Sequence, residues 1–247
     1  MMRPKKRLDL LLVERGLASS RQRAQALIMA GNVLLADVPA TKPGQLVSED
    51  SVLRVRGQDH PYVSRAALKL IAALEQFSIE TSGKTALDIG ASTGGFTQVL
   101  LERGAEKVFA VDVGHNQMDW ALRNDPRVVL FEKTNARSLS FDLIGMKVGV
   151  IVADVSFISL EKILPALIPF CEGTTTDWVT LIKPQFEVGR EKVGKGGIVT
   201  SDTDRQEAVT KITDFARTLG LSRQGLIDSP VAGTDGNREF LAWWRLC

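Results

Sequence analysis

The spacing of hydrophobic positions divides the chain into two stretches. Between residues 7 and 30 the period is helical: Leu8, Leu11 and Leu12 mark one face, and Ala24, Leu27 and Ile28 mark another. Gly16 breaks the first helix, over 7–14, and Gly31 stops the second, over 21–30. Ser19-Ser20-Arg21-Gln22 offers a capping box, with Ser at the N-cap and Gln three residues on. Short strands are predicted at 33–35 and 52–55, with Pro39 and Pro43-Gly44 in the turns. A helix follows over 62–77, on Val63, Ala66, Ala67, Leu70 and Leu74. Apolar runs then alternate with amphipathic ones. Strands are predicted at 85–89, 108–111, 128–131, 149–153, 178–182, 222–227 and 239–245. Helices are predicted at 96–103, 116–123, 159–168 and 203–219. This alternation predicts an α/β fold, with a mostly parallel sheet and helices on both faces. The last two strands, joined through Gly233-Thr234-Asp235-Gly236-Asn237, read as an antiparallel edge pair.

Composition adds an asymmetry. Residues 1–60 hold ten Lys/Arg against six Asp/Glu, and the rest hold 21 against 23. Positive charge gathered in the N-terminal quarter points to an anionic polymer as partner. The polar hinge Gly57-Gln58-Asp59-His60-Pro61-Tyr62 divides the chain into a module at 1–57, a linker at 58–61 and a domain at 62–247. Cys171 and Cys247 lie too far apart in sequence for a disulfide framework, and read as free thiols in a reducing, cytoplasmic setting. No apolar region follows the basic start and no 18-residue apolar stretch exists, so neither a signal peptide nor a membrane span is expected.

The richest stretch is Thr85-Ala86-Leu87-Asp88-Ile89-Gly90-Ala91-Ser92-Thr93-Gly94-Gly95-Phe96. A strand ends in an acid and a glycine, and a small-residue turn opens a helix. Such a loop carries little side chain, so a nucleoside can lie against backbone. The glycine spacing does not fit the dinucleotide fingerprint G-x-G-x-x-G. Asp112 ends the next strand, where an acid can hold two ribose hydroxyls. Asn135, after the strand at 128–131, has an amide suited to an adenine edge, and Arg137 can pair with it or with Asp112. The form Asp-x-Gly-x-x-x-Gly-Gly resembles motif I of class I S-adenosylmethionine (SAM) methyltransferases. The resemblance implies a Rossmann-like fold and SAM contacts from Asp88, Gly90, Ser92, Gly94, Gly95, Phe96, Asp112, Asn135 and Asp154.

Residues 7 to about 56 resemble the S4-type RNA-binding domain, on Arg7-Leu8-Asp9, Ser20-Arg21 through Gln25-Ala26-Leu27-Ile28, and Gly31-Asn32-Val33. The resemblance implies a small α+β module that grips structured RNA by shape and phosphate, through Arg7, Arg21 and Arg23. Arg21 and Arg23 also open the second helix, where free N–H groups favour phosphate.

Charged residues fall where strand ends meet ligands: Asp154 after Val150-Ile151-Val152-Ala153, Lys183 after 178–182, and Glu239 opening the last strand. Lys69 lies on the helix that enters the sheet. In order and context, Lys69, Asp154, Lys183 and Glu239 resemble the Lys-Asp-Lys-Glu tetrad of FtsJ-like RNA ribose 2′-O-methyltransferases. The segments Tyr62-Val63-Ser64-Arg65-Ala66-Ala67-Leu68-Lys69, Ala153-Asp154-Val155-Ser156-Phe157-Ile158-Ser159-Leu160 and Lys183-Pro184-Gln185-Phe186-Glu187 resemble its haemolysin A/TlyA branch. The branch implies ribosomal RNA within assembled subunits as substrate, cytidine as target, and no metal. Branch members without terminal extensions act on the large subunit, and the chain stops soon after its last strand, so the large subunit is the expected one.

In that chemistry Lys183 takes or guides the hydroxyl proton, with Lys69 as a nearby cation. Asp154 holds the lysine and favours the positive donor, and Glu239 orients Lys69 or the ribose. Arg65, Arg190 and Lys192 are further RNA contacts, the last two in a glycine-rich loop read as flexible and closing over RNA. That loop, Gly189-Arg190-Glu191-Lys192-Val193-Gly194-Lys195-Gly196, lacks the Ser/Thr that a P-loop needs for magnesium. No protein partner is identifiable. Three other readings compete: a membrane-active haemolysin, a non-catalytic assembly factor that binds SAM and RNA, and a base methylase. The missing amphipathic cationic helix, the intact tetrad, and the absence of an Asn/Asp-Pro-Pro-Tyr/Phe motif or catalytic Cys weigh against them in turn.

Overall fold

The structure, a computed structural model, describes residues 5–18, 20–55, 60–233 and 236–247. Ser19 of the expected capping box, linker positions 58 and 59, and Thr234 and Asp235 of the last turn lie outside them. The chain forms two compact units, one up to Pro61 and one from Tyr62.

In the first unit, helices Leu8–Glu14 and Arg21–Met29 bury Leu8, Leu12, Ala24 and Ile28 together with Val33. Ser20 caps the second helix, its Oγ accepting from the Arg23 N–H at 3.2 Å. Val33–Leu35 pairs with Val38–Pro39 and Leu53–Val55, and Lys5–Arg7 pairs with Leu46–Ser48. The strands at 5–7, 38–39 and 46–48 are two or three residues long, too short to leave a period in the sequence.

The second unit holds seven strands: β1 Thr85–Ile89, β2 Lys107–Val111, β3 Val128–Phe131, β4 Val150–Ala153, β5 Asp177–Ile182, β6 Leu221–Asp228 and β7 Phe240–Leu246. Their order is β6-β7-β5-β4-β1-β2-β3. Strands β5, β4, β1, β2 and β3 run parallel, and β7 is antiparallel to both its neighbours. Side chains alternate between two cores, as the pleat requires. Leu87, Ile89 and Trp178 face one core with Val209 and Ile212 of α3 (Asp202–Thr218). Ala86, Val152 and Val179 face the other. There they meet Leu70 of α1 (Ala66–Gln76) and Phe96 of α2 (Gly95–Glu102). The two helix starts crowd each other: a Cβ on Gly95 would lie 2.3 Å from Ser64 Oγ.

Three expected helices change. The one over 62–77 starts only at Ala66. The one over 116–123 shrinks to Trp120–Arg123, because Asn116 has φ +54° and Asp119 caps the turn by accepting from the Ala121 N–H. The one over 159–168 breaks into short turns at Leu160–Lys162, Leu164–Leu167 and Ile168–Phe170. Pro165 and Pro169 supply no N–H to a continuous helix.

Candidate active site

The carboxyl ends of β1, β4 and β5 open onto two cavities. One, of about 360 Å³, is bounded by Ile89, Val111, Asp112, Asn135, Val155 and Ile163 among others. Among the described residues, Asp112 is its one lining acid besides Asp154. Its Oδ2 accepts from the Ser92 N–H at 2.8 Å and its Oδ1 from the Gly114 N–H at 2.7 Å. Both oxygens keep a lone pair for a diol. Asn135 Oδ1 accepts from the Arg137 backbone N–H at 3.1 Å, so its NH₂ remains for a ligand. A mostly apolar cavity with a carboxylate and a free amide among its lining residues fits a nucleoside.

The second cavity, of about 300 Å³, is lined by all four residues of the expected tetrad. Lys183 lies 2.6 Å from Asp154 Oδ1 and donates to Ser156 Oγ at 2.8 Å. Lys69 donates to Glu239 Oε2 at 2.6 Å, and Gln185 reaches the other oxygen at 3.4 Å. The Lys69–Glu239 pair is 9% and 2% exposed, so each charge needs the other to stay buried. Sequence reasoning offered Lys69 as a cation near Lys183 and Glu239 as a group that orients Lys69 or the ribose; the geometry pairs Lys69 with Glu239. The two cavities share one wall, made by Gly90, Ser92, Asp154 and Ser156.

Gly95, Phe96, Arg65 and Ser64 line the second cavity, with Arg65 exposed. Asp88 and Gly94, expected to contact the cofactor, line neither cavity. Gly94 caps α2 at φ +95° and packs toward Leu122. Asp88 is fully buried beneath the loop, accepting from Thr97 Oγ1 at 2.6 Å through Oδ2, while Oδ1 meets no partner among the described residues.

Burial pushes the Asp88 carboxyl up to about 7, and the nearby Asp154 and Asp112 charges add to the shift. The folded chain then holds a proton that the unfolded chain releases near pH 4, so this contribution to stability is present below pH 4 and lost as pH rises through 7. From pH 6 to pH 8 the loss for one such group is about 1 kcal/mol. Asp88→Asn should flatten that part of the slope in thermal melts at the two pH values. An unchanged slope would mean Asp88 does not carry the proton.

Three residues escaped the sequence reading. Ser156 touches Lys183. Phe157 stands at φ +63°, almost wholly exposed, against Phe186 at 5.2 Å. Glu187 is buried and bonded to Ser159. All three lie inside the segments quoted above, but only contacts single them out.

In the first unit, Asp9 is buried and accepts from Arg7 at 2.9 and 3.0 Å, from Arg21 at 3.1 Å and from Gln25 at 3.0 Å. The Arg7 guanidinium above all holds its carboxyl well below the usual range. Arg7 and Arg21 are thus oriented by Asp9 yet remain 41% and 55% exposed. Lys192 pairs with Glu207 and Asp204 of α3. Just past its loop, Asn237 ties down the following segment: Oδ1 accepts from the Val199 N–H and Nδ2 donates to Gly197 O.

Residues 62–246 match the model of the FtsJ-like methyltransferases, and residues 6–53 match the S4 domain. The chain belongs to the FtsJ-like methyltransferase family. Its fold is that of SAM-dependent methyltransferases, with an S4 domain ahead of it. The 16S/23S rRNA (cytidine-2'-O)-methyltransferase TlyA of Mycobacterium tuberculosis is 50% identical over 240 residues, which cover 97% of this chain and 89% of that protein. Hemolysin A of Brachyspira hyodysenteriae is 44% identical, over 96% of this chain and 98% of its own. A solved structure from Streptococcus thermophilus, described as a hemolysin, is 41% identical with a TM-score of 0.76. It covers 99% of this chain and 90% of that one. Among the described residues, no helix is long and apolar enough to cross a membrane.

Proposed function

We propose that this enzyme methylates a ribose 2′-hydroxyl of ribosomal RNA, at cytidine, with SAM as donor. One observation carries the reading: the cavity lined by Asp112 and Asn135 and the cavity holding both ion pairs share the wall of Gly90, Ser92, Asp154 and Ser156. A donor in one and a ribose in the other would face each other there. The 50% identity to a protein named for this reaction supports the same reading. RNA of the large subunit is the favoured target, and the cytoplasm is where ribosomes are met.

Asp112, Asn135, Ser92 and Gly90 would hold SAM, whose sulfonium supplies an activated methyl group. The ribose hydroxyl is a weak nucleophile, so this chain's residues must place it and take its proton. Lys183 is held by its ion pair with Asp154 and its hydrogen bond to Ser156, and as a neutral amine it would turn its lone pair to the ribose hydroxyl. As the ribose oxygen takes the methyl group and the bond from that carbon to sulfur breaks, the hydroxyl proton would pass to the Lys183 amine, and Asp154 would then hold the resulting ammonium. Asp154 also favours positive charge at the shared wall. Glu239 holds Lys69, which borders the ribose side. Most of the acceleration comes from alignment of oxygen, carbon and sulfur. Cys171 offers no covalent route to a base: it lines neither cavity, and burial pushes its thiol up to about 11.

Arg7, Arg21, Arg23, Arg65, Arg190 and Lys192 are the proposed RNA contacts. Tritiated-methyl transfer to isolated subunits and whole ribosomes, with ribose methylation mapped afterwards, tests the function. Label on a large-subunit cytidine ribose is expected, and label on a base or none at all would end the reading. Deleting residues 1–57 should spare SAM binding and remove most RNA affinity. Arg21→Ala with Arg23→Ala should lower RNA affinity and flatten its salt dependence. A truncated protein that methylates as well as the full chain would show the RNA anchor lies elsewhere.

A further inference from the structure

Glu187 is a buried acid for which the chemistry above has no use. It ends the short helix Pro184–Glu187 and is 4% exposed. Its Oε2 accepts from Ser159 Oγ at 2.6 Å and its Oε1 from the Leu160 N–H at 2.9 Å. Both donors belong to the turn that leaves β4 through Asp154 and Ser156.

The contacts form a ladder between two segments. Lys183 meets Asp154 and Ser156 at one end. Phe186 meets Phe157 in the middle. Glu187 meets Ser159 and Leu160 at the other end. The segment from 183 to 187 is itself stiff: Pro184 sits at its first helical position, and the Phe186 and Val188 N–H groups bond back to Lys183 and Pro184. A shift at the Glu187 end therefore moves the other strut of the ladder, the turn carrying Asp154.

We propose that Glu187 is a positioning residue for methyl transfer, which holds the 154–160 turn against the 183–187 segment and so keeps Asp154 and Ser156 aligned on Lys183. The proposal rests on the methyl-transfer reading above.

Its electrostatics make the latch sensitive to pH. Burial pushes the Glu187 carboxyl up to about 7, against the Ser159 and Leu160 hydrogen bonds that favour the charged form. Two charged groups face it. Lys211 of α3 favours the carboxylate and donates to the Glu187 carbonyl at 2.9 Å. Glu161 opposes it and is itself paired with Lys211 at 3.0 Å. Below about pH 7 the carboxyl gains a proton, and one of its two acceptor oxygens is compromised.

The test uses the full chain with Glu187→Gln, Ser159→Ala and the double variant. Turnover, KM for SAM and hydrogen exchange in the peptide spanning 155–162 are measured from pH 6 to pH 8.5. Glu187→Gln should lower turnover about 10–100-fold, the scale of a small misplacement, while KM for SAM stays within about threefold. Ser159→Ala should do the same more weakly, and the double variant should be no worse than Glu187→Gln alone. Exchange over 155–162 should quicken in each variant and stay as in the wild type elsewhere. Wild-type turnover should fall below about pH 7 by a limb that Glu187→Gln lacks. Unchanged exchange would overturn the proposal. So would faster exchange with unchanged turnover, which would make the contact structural only. If Glu187→Gln fails to fold, Ser159→Ala decides by the same two readouts. A wild type inactive on ribosomal RNA would end the functional reading, and the exchange data would still judge the latch.

Discussion

Replacing Lys183 with alanine is expected to lower turnover about 10²–10⁴-fold, the range for a positioned acid–base group. SAM binding should stay near the wild-type value, because the slot that fits the nucleoside is bounded by other residues. Folding should survive as well. Lys183 is a partner of Asp154, whose side chain is 15% exposed and faces a cavity that water can enter. The loss should therefore appear in turnover alone. Lys183→Arg should not restore it. A guanidinium keeps its proton and is a wider, flatter group than the ammonium seated between Asp154 and Ser156. Single-turnover methyl transfer, run beside calorimetry with SAM, separates the two effects. Substantial transfer by Lys183→Ala would remove the proposed proton acceptor and reopen the non-catalytic and base-methylating readings.

The tetrad could be read from the sequence because each member sits at a point the fold makes special. Asp154 directly follows four apolar residues and Lys183 ends a mostly apolar strand, and a charge there must face a ligand or a partner. The pairing came from the resemblance and not from the hydrophobic pattern. Lys69 and Glu239 lie 170 residues apart, and only the return of β7 between β5 and β6 brings them to 2.6 Å. Asp88 misled for a physical reason. The pleat turns it, with Ala86, toward α2, so it buries against Thr97 while the loop backbone above borders the cavities. The arginines of the first unit gave a similar half-answer. Charge density marked the N-terminal quarter and the S4 resemblance singled out Arg7 and Arg21, but their convergence on Asp9 depends on the fold of the module. Glu187 and Ser156 left no signal of their own, since a serine or glutamate in a polar turn has no distinguishing period.

Gly90→Val should reduce SAM affinity by about 100-fold or more, at least ~2.7 kcal/mol. The sequence suggested that a side chain here would fill space a cofactor uses. The geometry adds a sharper reason. Gly90 has φ +83°, where a β-branched residue is strained, and a Cβ on it would lie 2.5 Å from the Asp154 carbonyl oxygen and 3.0 Å from its carbonyl carbon. The loops after β1 and β4 touch through backbone at this point, so neither can yield without moving the other. Valine would therefore push Asp154 away from Lys183 as well as reshape the wall that both cavities share. Gly90→Ala meets the same clash with a smaller group and should lose both binding and turnover to a lesser degree. Calorimetry with SAM, alongside a melt to confirm that the variant folds, gives the answer. A folded Gly90→Val with wild-type affinity would mean the cofactor does not lie against this loop.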